Sequence, residues 1–351
     1  MAATEYSRLT RRTVLTGAAA MLAAGVAAAP GTADAADPAP AIRSAAARGE
    51  ELLVLTDDGD PAEVYAIRRL VVDAERRAGL GRRLPVEFPD GFHPHSIAAR
   101  GRTLWVTGSV DELVKTITVD NRSDAPGSDL GSLRNEADPM LPDAIVDIAV
   151  RRARPALLRI EEERAAFVEF PVPGSIRSGA ATAVALPGER GLAVAVEGCP
   201  DAGLAMITRS HLALSSDEGR TWRYSVLAEG LGEGYGTVLA AVGGRVFAVT
   251  ADGAGTQTMR TGEATRDAAL ELVATEAGAG RPMAAVPTAE GEVDIFSDRD
   301  GRVGESRFGR GGRVGGTDRP DCGCAGEIVA IRGRPGAWLE IDADTVRVHG
   351  L

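Results

Sequence analysis

His95 to Gly108 reads H-S-I-A-A-R-G-R-T-L-W-V-T-G. An alternating apolar segment runs into a Gly turn, and a second, more continuous apolar strand follows. Runs of four to eight apolar residues bounded by Gly and Asp have the period of strands, not of helices. The same pair of strands recurs along the chain. It appears before this copy as A-I-R-S-A-A-A-R-G-E-E-L-L-V-L-T, starting at Ala41. After it come A-T-A-V-A-L-P-G-E-R-G-L-A-V-A-V from Ala181 and V-L-A-A-V-G-G-R-V-F-A-V-T from Val238. The last two copies are M-A-A-V-P-T-A-E-G-E-V-D-I-F-S from Met283 and E-I-V-A-I-R-G-R-P-G-A-W-L-E-I from Glu327.

Aligned on Leu53, Leu104, Leu192, Val246, Val293 and Trp338, the second strands are spaced by 51, 88, 54, 47 and 45 residues. The interval of 88 is close to two units, which places a degenerate copy near Ala144 to Val150, A-I-V-D-I-A-V. A repeat of about 40 to 50 residues carrying four strands is the pattern of a β-propeller blade, which buries its faces only by stacking on neighbours. The expected fold is therefore all-β: a single β-propeller of four-stranded antiparallel sheets, with seven blades favoured over six or eight. A β-sandwich also shows evenly spaced strands, but one of this length would need several domains and a linker between them. The nearest linker candidate, Asn121 to Leu130, reads as an exposed loop. Val72 to Gly79 reads as a short surface helix. The Gly-rich Phe308 to Gly316 reads as a mobile connection between blades.

The first 35 residues stand apart. Arg11 and Arg12 precede a mild apolar stretch from Val14 to Ala29, and Ala33-Asp34-Ala35 is an A-x-A cleavage site. This resembles a twin-arginine translocation signal, which implies export of the folded chain, with residues 36–351 as the propeller domain. The apolar stretch is too short and too rich in Ala and Gly for a stable membrane anchor.

Residues 215 to 222 read S-S-D-E-G-R-T-W. They match the Asp-box, S-x-D-x-G-x-T-W, and on this segment the chain resembles the sialidase-like (BNR) propellers. The resemblance implies a structural turn at the blade periphery. Ser215 and Asp217 would tie the hairpin, Gly219 would take positive φ, and Thr221 and Trp222 would open the next strand. A shorter S-D-R-D-G at Ser297 to Gly301 is a degenerate candidate for a second copy. Sialidases also carry an R-I-P-type arginine, two further arginines and a Tyr/Glu nucleophile pair. Here the closest text is Ala41-Ile42-Arg43, and Tyr235 beside Glu233 is the one tyrosine with a carboxylate in a Gly-rich loop. Sialidase-type hydrolysis is thus the alternative reading, and a non-catalytic binding scaffold is the favoured one.

Composition removes other classes. With 39 basic against 50 acidic residues the net charge is -11, which argues against nucleic-acid partners. All but one of the basic residues are Arg, so any arginine motif carries little weight. Four histidines are too few for a multi-copper cluster. His93 and His95 have the H-x-H spacing of copper and zinc sites, yet His93 to Thr107 also resembles the strand pair of YVTN/NHL-like blades, where such a histidine packs. Cys199, Cys322 and Cys324 are disulfide candidates in an oxidising compartment, with the pairing left open by the sequence. The acidic Thr56 to Asp60 reads as a solvated turn and not a Ca²⁺ loop. No cofactor is implied. The expected partner is a glycan or protein held by loops at one end of the axial channel.

Overall fold

The computed structural model describes residues 40–59, 65–120, 145–170, 176, 178–199, 207–231, 235–263, 270–318, 326–342 and 345–351, which hold strands and turns and no helix. The strands fall into six up-and-down units. The first contains β1 (Ala41–Arg48), β2 (Glu51–Asp57), β3 (Tyr65–Val72) and β4 (Arg77–Arg83). The second contains β5 (Phe92–Arg100), β6 (Thr103–Asp120), β7 (Ile145–Glu161) and β8 (Arg164–Val168). The third runs through β9 (Ser178–Ala185), β10 (Leu192–Cys199), β11 (Ile207–Ser215) and β12 (Arg223–Leu231). The fourth has β13 (Val238–Val242), β14 (Arg245–Ala251), β15 (Gln257–Glu263) and β16 (Glu271–Glu276). The fifth has β17 (Arg281–Pro287), β18 (Val293–Arg299), β19 (Arg302–Gly309) and β20 (Gly312–Asp318). The sixth has three strands, β21 (Glu327–Arg332), β22 (Trp338–Ile341) and β23 (Val346–His349).

Side chains alternate between the two faces of a strand, so a strand buried on both sides must be apolar without interruption. The second strands obey this rule, and their two faces belong to different cores. Leu53 and Leu55 pack with Ile97, Leu104 and Val106 of the second unit, while Leu52 and Val54 pack with Val329, Ile331 and Leu339 of the sixth. Trp105 turns the other way from Leu104, into a core with Val184, Leu192 and Val194. Ala193 and Ala195 meet Val246 and Ala248, Phe247 and Val249 meet Val293 and Ile295, and Phe296 meets Trp338. Each hydrophobic core is thus shared by two neighbouring units, and the series returns to its start. The inner strands touch in the same cyclic order: β1, β5, β9, β13, β17, β21 and back to β1. That closed ring of sheets is a β-propeller. Near the axis the blades converge, which leaves room for small side chains; Ala45, Ala46, Ala98, Ala181, Ala183, Ala284, Ala285 and Ala330 fill those positions.

The ring closes at a seam between the first and sixth blades. β1 pairs with β21 in parallel at Ala45↔Ile331 and Ala46↔Arg332, and β4 pairs with β23 at Ala78↔Val346 and Arg77↔Arg347. Hydrogen bonds on both the inner and outer edges therefore clasp these two blades into one closed sheet.

Several expectations change. The described residues make six blades, not seven. Ile145 to Val150, read as part of a degenerate extra copy, instead pair with Lys115 to Asp120 as the far end of β7. β5 accompanies β6 only up to Val110, and β8 accompanies β7 only from Leu157 onward. Beyond those points β6 and β7 form a bare two-stranded ribbon, and the 88-residue interval is spent on it and on residues 121–144, which lie outside the described set. Val72 to Gly79 is no helix: a turn at Asp73 to Arg76 joins β3 to β4, with Asp73 accepting the amides of Glu75 and Arg77. Phe308 to Gly316 is likewise a hairpin, β19 to β20, inside the fifth blade.

Candidate functional site: the axial bore and its mouth

First strands begin, and second strands end, on one face of the wheel; we call the bore's opening there the mouth. Four of the inner strands carry a bulge near this face, at Arg43 in β1, His95 in β5, Thr182 in β9 and Met283 in β17. A bulge leaves its residue outside the ladder and re-aims it. At the seam, Arg43 donates to Asp57 at 2.6 Å. Glu327, the first residue of β21, lies within electrostatic reach of Arg43. Burial raises the Glu327 pKa, and Arg43 partly opposes that rise. Yet Glu327 keeps solvent contact.

Deeper in the bore, hydroxyls tie one blade to the next. The Ile97 amide on β5 donates to Ser44 Oγ on β1 at 3.0 Å, and the Val184 amide on β9 donates to Ser96 Oγ on β5 at 3.3 Å. Inner strands present an open edge to the axis, and their buried N–H groups must find partners. Ser44 has a second donor, Arg332 Nη1 at 2.7 Å.

Tyr235 and Glu197 form the next group on the mouth face. The Glu197 carboxylate, near the end of β10, accepts the backbone amides of Tyr235 (3.2 Å) and Thr237 (2.8 Å) and the Thr237 hydroxyl. Thr237 Oγ1 also meets Ser210 Oγ at 2.7 Å. The Tyr235 hydroxyl reaches Gly230, where an added Cβ would meet it at 2.8 Å. Burial first, then Glu229, Glu197 and Asp252, raise the Tyr235 pKa. Glu233, paired with Tyr235 by the sequence, lies outside the described residues; Glu197 was missed because its partners are some 40 residues away.

His93 and His95 do not converge. His93 Nε2 lies 3.5 Å from Asp111 Oδ2 and its ring meets Tyr65 edge-on, while His95 occupies the β5 bulge. No three His, Cys, Asp or Glu side chains among the described residues come together as metal ligands. In the acidic turn, Asp58 accepts from Arg68 at 2.6 Å and from Thr56 at 2.8 Å, so arginines neutralise its two described carboxylates, Asp57 and Asp58. Cys199 ends β10 opposite Ser178; Cys322 and Cys324 lie outside the described residues, as do Arg11, Arg12, Ala33 and Ala35.

The Ser215 to Trp222 segment is at the opposite face, on the β11–β12 turn at the blade's outer half. Ser215 Oγ donates to Asp217 Oδ1 at 2.8 Å and accepts the Gly219 amide at 2.8 Å. Asp217 accepts the Thr221 amide at 2.9 Å and the Thr221 hydroxyl at 2.7 Å. Gly219 has φ of 84°, and a Cβ there would press on Val168 at 3.1 Å and Trp222 at 3.2 Å. Trp222 Nε1 donates to the Glu169 carbonyl of the second blade, and its ring packs edge-on against Phe170. These residues therefore hold a turn and join two blades. Ser297 to Gly301 is a different turn, between β18 and β19 on the mouth face; Asp298 accepts the Gly301 amide, and Ser297 accepts from Gln257. A concavity of about 250 Å³, walled by Pro155, Phe167 and Phe170, lies on the rim of the second blade and not on the axis.

No family model and no curated protein matches the chain. Among solved structures, it is similar to the Trypanosoma rangeli sialidase bound to 2,3-difluorosialic acid, with 11% identity, a TM-score of 0.49, and coverage of 88% of this chain and 54% of that one. It is similar to the Myceliophthora thermophila Cps50 (Swd1) β-propeller domain, with 13% identity, a TM-score of 0.46, and coverage of 88% and 96%. It is also similar to a catalytically inactive Staphylococcus aureus virginiamycin B lyase with quinupristin, with 9% identity, a TM-score of 0.46, and coverage of 90% and 96%. The propeller assignment rests on the wheel's own topology.

Proposed function

We propose that this chain is an exported, non-catalytic binding propeller whose ligand, a glycan or a protein, docks at the mouth of the axial bore. The observation that carries the reading is the state of three carboxylates on the mouth face. Asp57 and Asp58 are held by arginines, and Glu197 is spent on two backbone amides and a hydroxyl. General acid–base chemistry needs a titrating group free to move its proton, whereas pre-paired, rigid groups suit recognition. Tyr235 is pushed away from phenolate by burial first and by its carboxylate neighbours second, which opposes its use as a nucleophile.

Sialidase-type hydrolysis is the second reading, and Glu327 is what favours it: a carboxyl with a raised pKa at an axial opening beside Arg43. Fluorogenic sialosides and other glycosides offered to the full chain decide between the two. The binding reading expects no turnover above background. Turnover abolished by Glu327→Gln or Tyr235→Phe overturns it. Export is tested by fusing residues 1–35 to a folded reporter; we expect replacement of Arg11 and Arg12 by Lys to retain the reporter in the cytoplasm, and unchanged export would remove the twin-arginine assignment.

A further inference from the structure

Arg332 ends β21 on the sixth blade, and its guanidinium binds Ser44 Oγ on the first. The direction of Ser44 defines the path. Its hydroxyl also accepts the Ile97 amide of the second blade, so it faces away from the sixth. Ala45 and its partner Ile331 point into the core between the first and sixth blades, so Arg332, paired with Ala46, lies with Ser44 on the other, axis-facing side of the β1–β21 pair. Its guanidinium is therefore held on that axis-facing side, at Ser44 of β1 and beside Ile97 of β5. The Arg332 side chain is half-buried and keeps solvent contact.

Among the described residues nothing compensates the charge. Arg332 makes no ion pair with a described carboxylate, and its Nε is buried without a hydrogen-bond partner. Burial alone pulls its pKa down to about 10. Two other inner strands end in the same Arg-Gly pair, and there the arginine is committed elsewhere: Arg48 binds Glu51 at 2.6 Å, and Arg100 binds the Gly191 carbonyl at 2.7 Å. A guanidinium offers a planar fork of donors that matches an oxyanion edge. We infer that the bore holds an anion site built on Arg332 and braced by Ser44, which takes the carboxylate or phosphate group of a small ligand or of a side group of a larger one. This deepens the binding reading and rests on it for a physiological role, because it names the chemistry of the group that enters furthest.

The test is calorimetric titration of the full chain with sodium phosphate and, separately, sodium acetate, in a zwitterionic buffer at low ionic strength. Saturable binding of one or both is expected, and the pair tells a phosphate preference from a carboxylate one. Loss of one charge-assisted donor pair should weaken binding by about tenfold or more in Arg332→Gln. The exposed Arg152→Gln, on the ribbon, should bind as wild type. If Arg332→Gln does not fold, Ser44→Ala removes the brace while keeping the charge, and binding should weaken severalfold. No saturable heat with either anion, or equal affinity in the Arg332 and Ser44 variants and wild type, overturns the anion site. That failure leaves docking at the mouth intact, whereas glycoside turnover would overturn the scaffold reading and leave the anion site standing.

Discussion

Glu197 and Thr237 are joined twice, through the threonine's backbone amide and through its hydroxyl, across the interface between the third and fourth blades. The carboxylate also holds the Tyr235 amide, so one side chain fixes the approach to β13.

Truncation by Glu197→Ala leaves three donors without their acceptor, and Thr237 is buried. We expect a loss of about 2–3 kcal/mol in urea unfolding. Glu197→Gln keeps an acceptor oxygen and should lose less. Hydrogen exchange at the Tyr235 and Thr237 amides should quicken in the alanine variant well before global unfolding; unchanged protection there would refute the brace.

Asp217 gives a pH signature at the opposite face. The Thr221 hydroxyl, then the Thr221 amide, hold its carboxyl down from 3.8 to about 2. A depressed folded-state pKa contributes stability that is complete above the unfolded value and is lost as pH falls through the folded one. The melting-temperature gap between wild type and Asp217→Asn should therefore be largest above pH 4 and shrink between pH 4 and 2. The carboxylate is partly exposed, so the effect is modest. A gap that stays constant down to pH 2 would mean Asp217 contributes nothing as a charge.

Ser44 and Ser96 occupy equivalent places on neighbouring inner strands but carry unequal loads. Ser44 accepts the Ile97 amide at 3.0 Å and Arg332 at 2.7 Å, whereas Ser96 accepts a single amide at 3.3 Å. Ser44→Ala should cost about 1–3 kcal/mol and Ser96→Ala about 1 kcal/mol or less. Equal costs in denaturant titration would contradict the two-donor account of Ser44.

The anchors Leu53, Leu104, Leu192, Val246, Val293 and Trp338 fall on β2, β6, β10, β14, β18 and β22, the second strand of every blade. They were legible because a strand buried on both faces leaves an unbroken apolar run. Blade number was misread because an interval of 88 assumes blades of equal length, and the bare β6–β7 ribbon adds residues without adding a sheet. The glycines of Phe308 to Gly316 suggested a loop, yet the outermost strand packs little and tolerates them. Arg332 was hidden among many arginines. Its one textual signal is V-A-I-R-G, aligned with A-A-A-R-G at Arg48 and I-A-A-R-G at Arg100, and only tertiary structure separates their three partners.

The seam between the first and sixth blades has a consequence for biosynthesis. Arg76 donates to the Leu351 carbonyl 275 residues further on, and its own carbonyl accepts the Val348 amide. Contacts this distant in the chain cannot form while a ribosome still holds the later segment. The first blade must wait with its β1 inner edge and β4 outer edge unpaired until β21 and β23 have emerged, so the ring closes only once its last blade is out, and the nascent chain is most vulnerable to aggregation just before that.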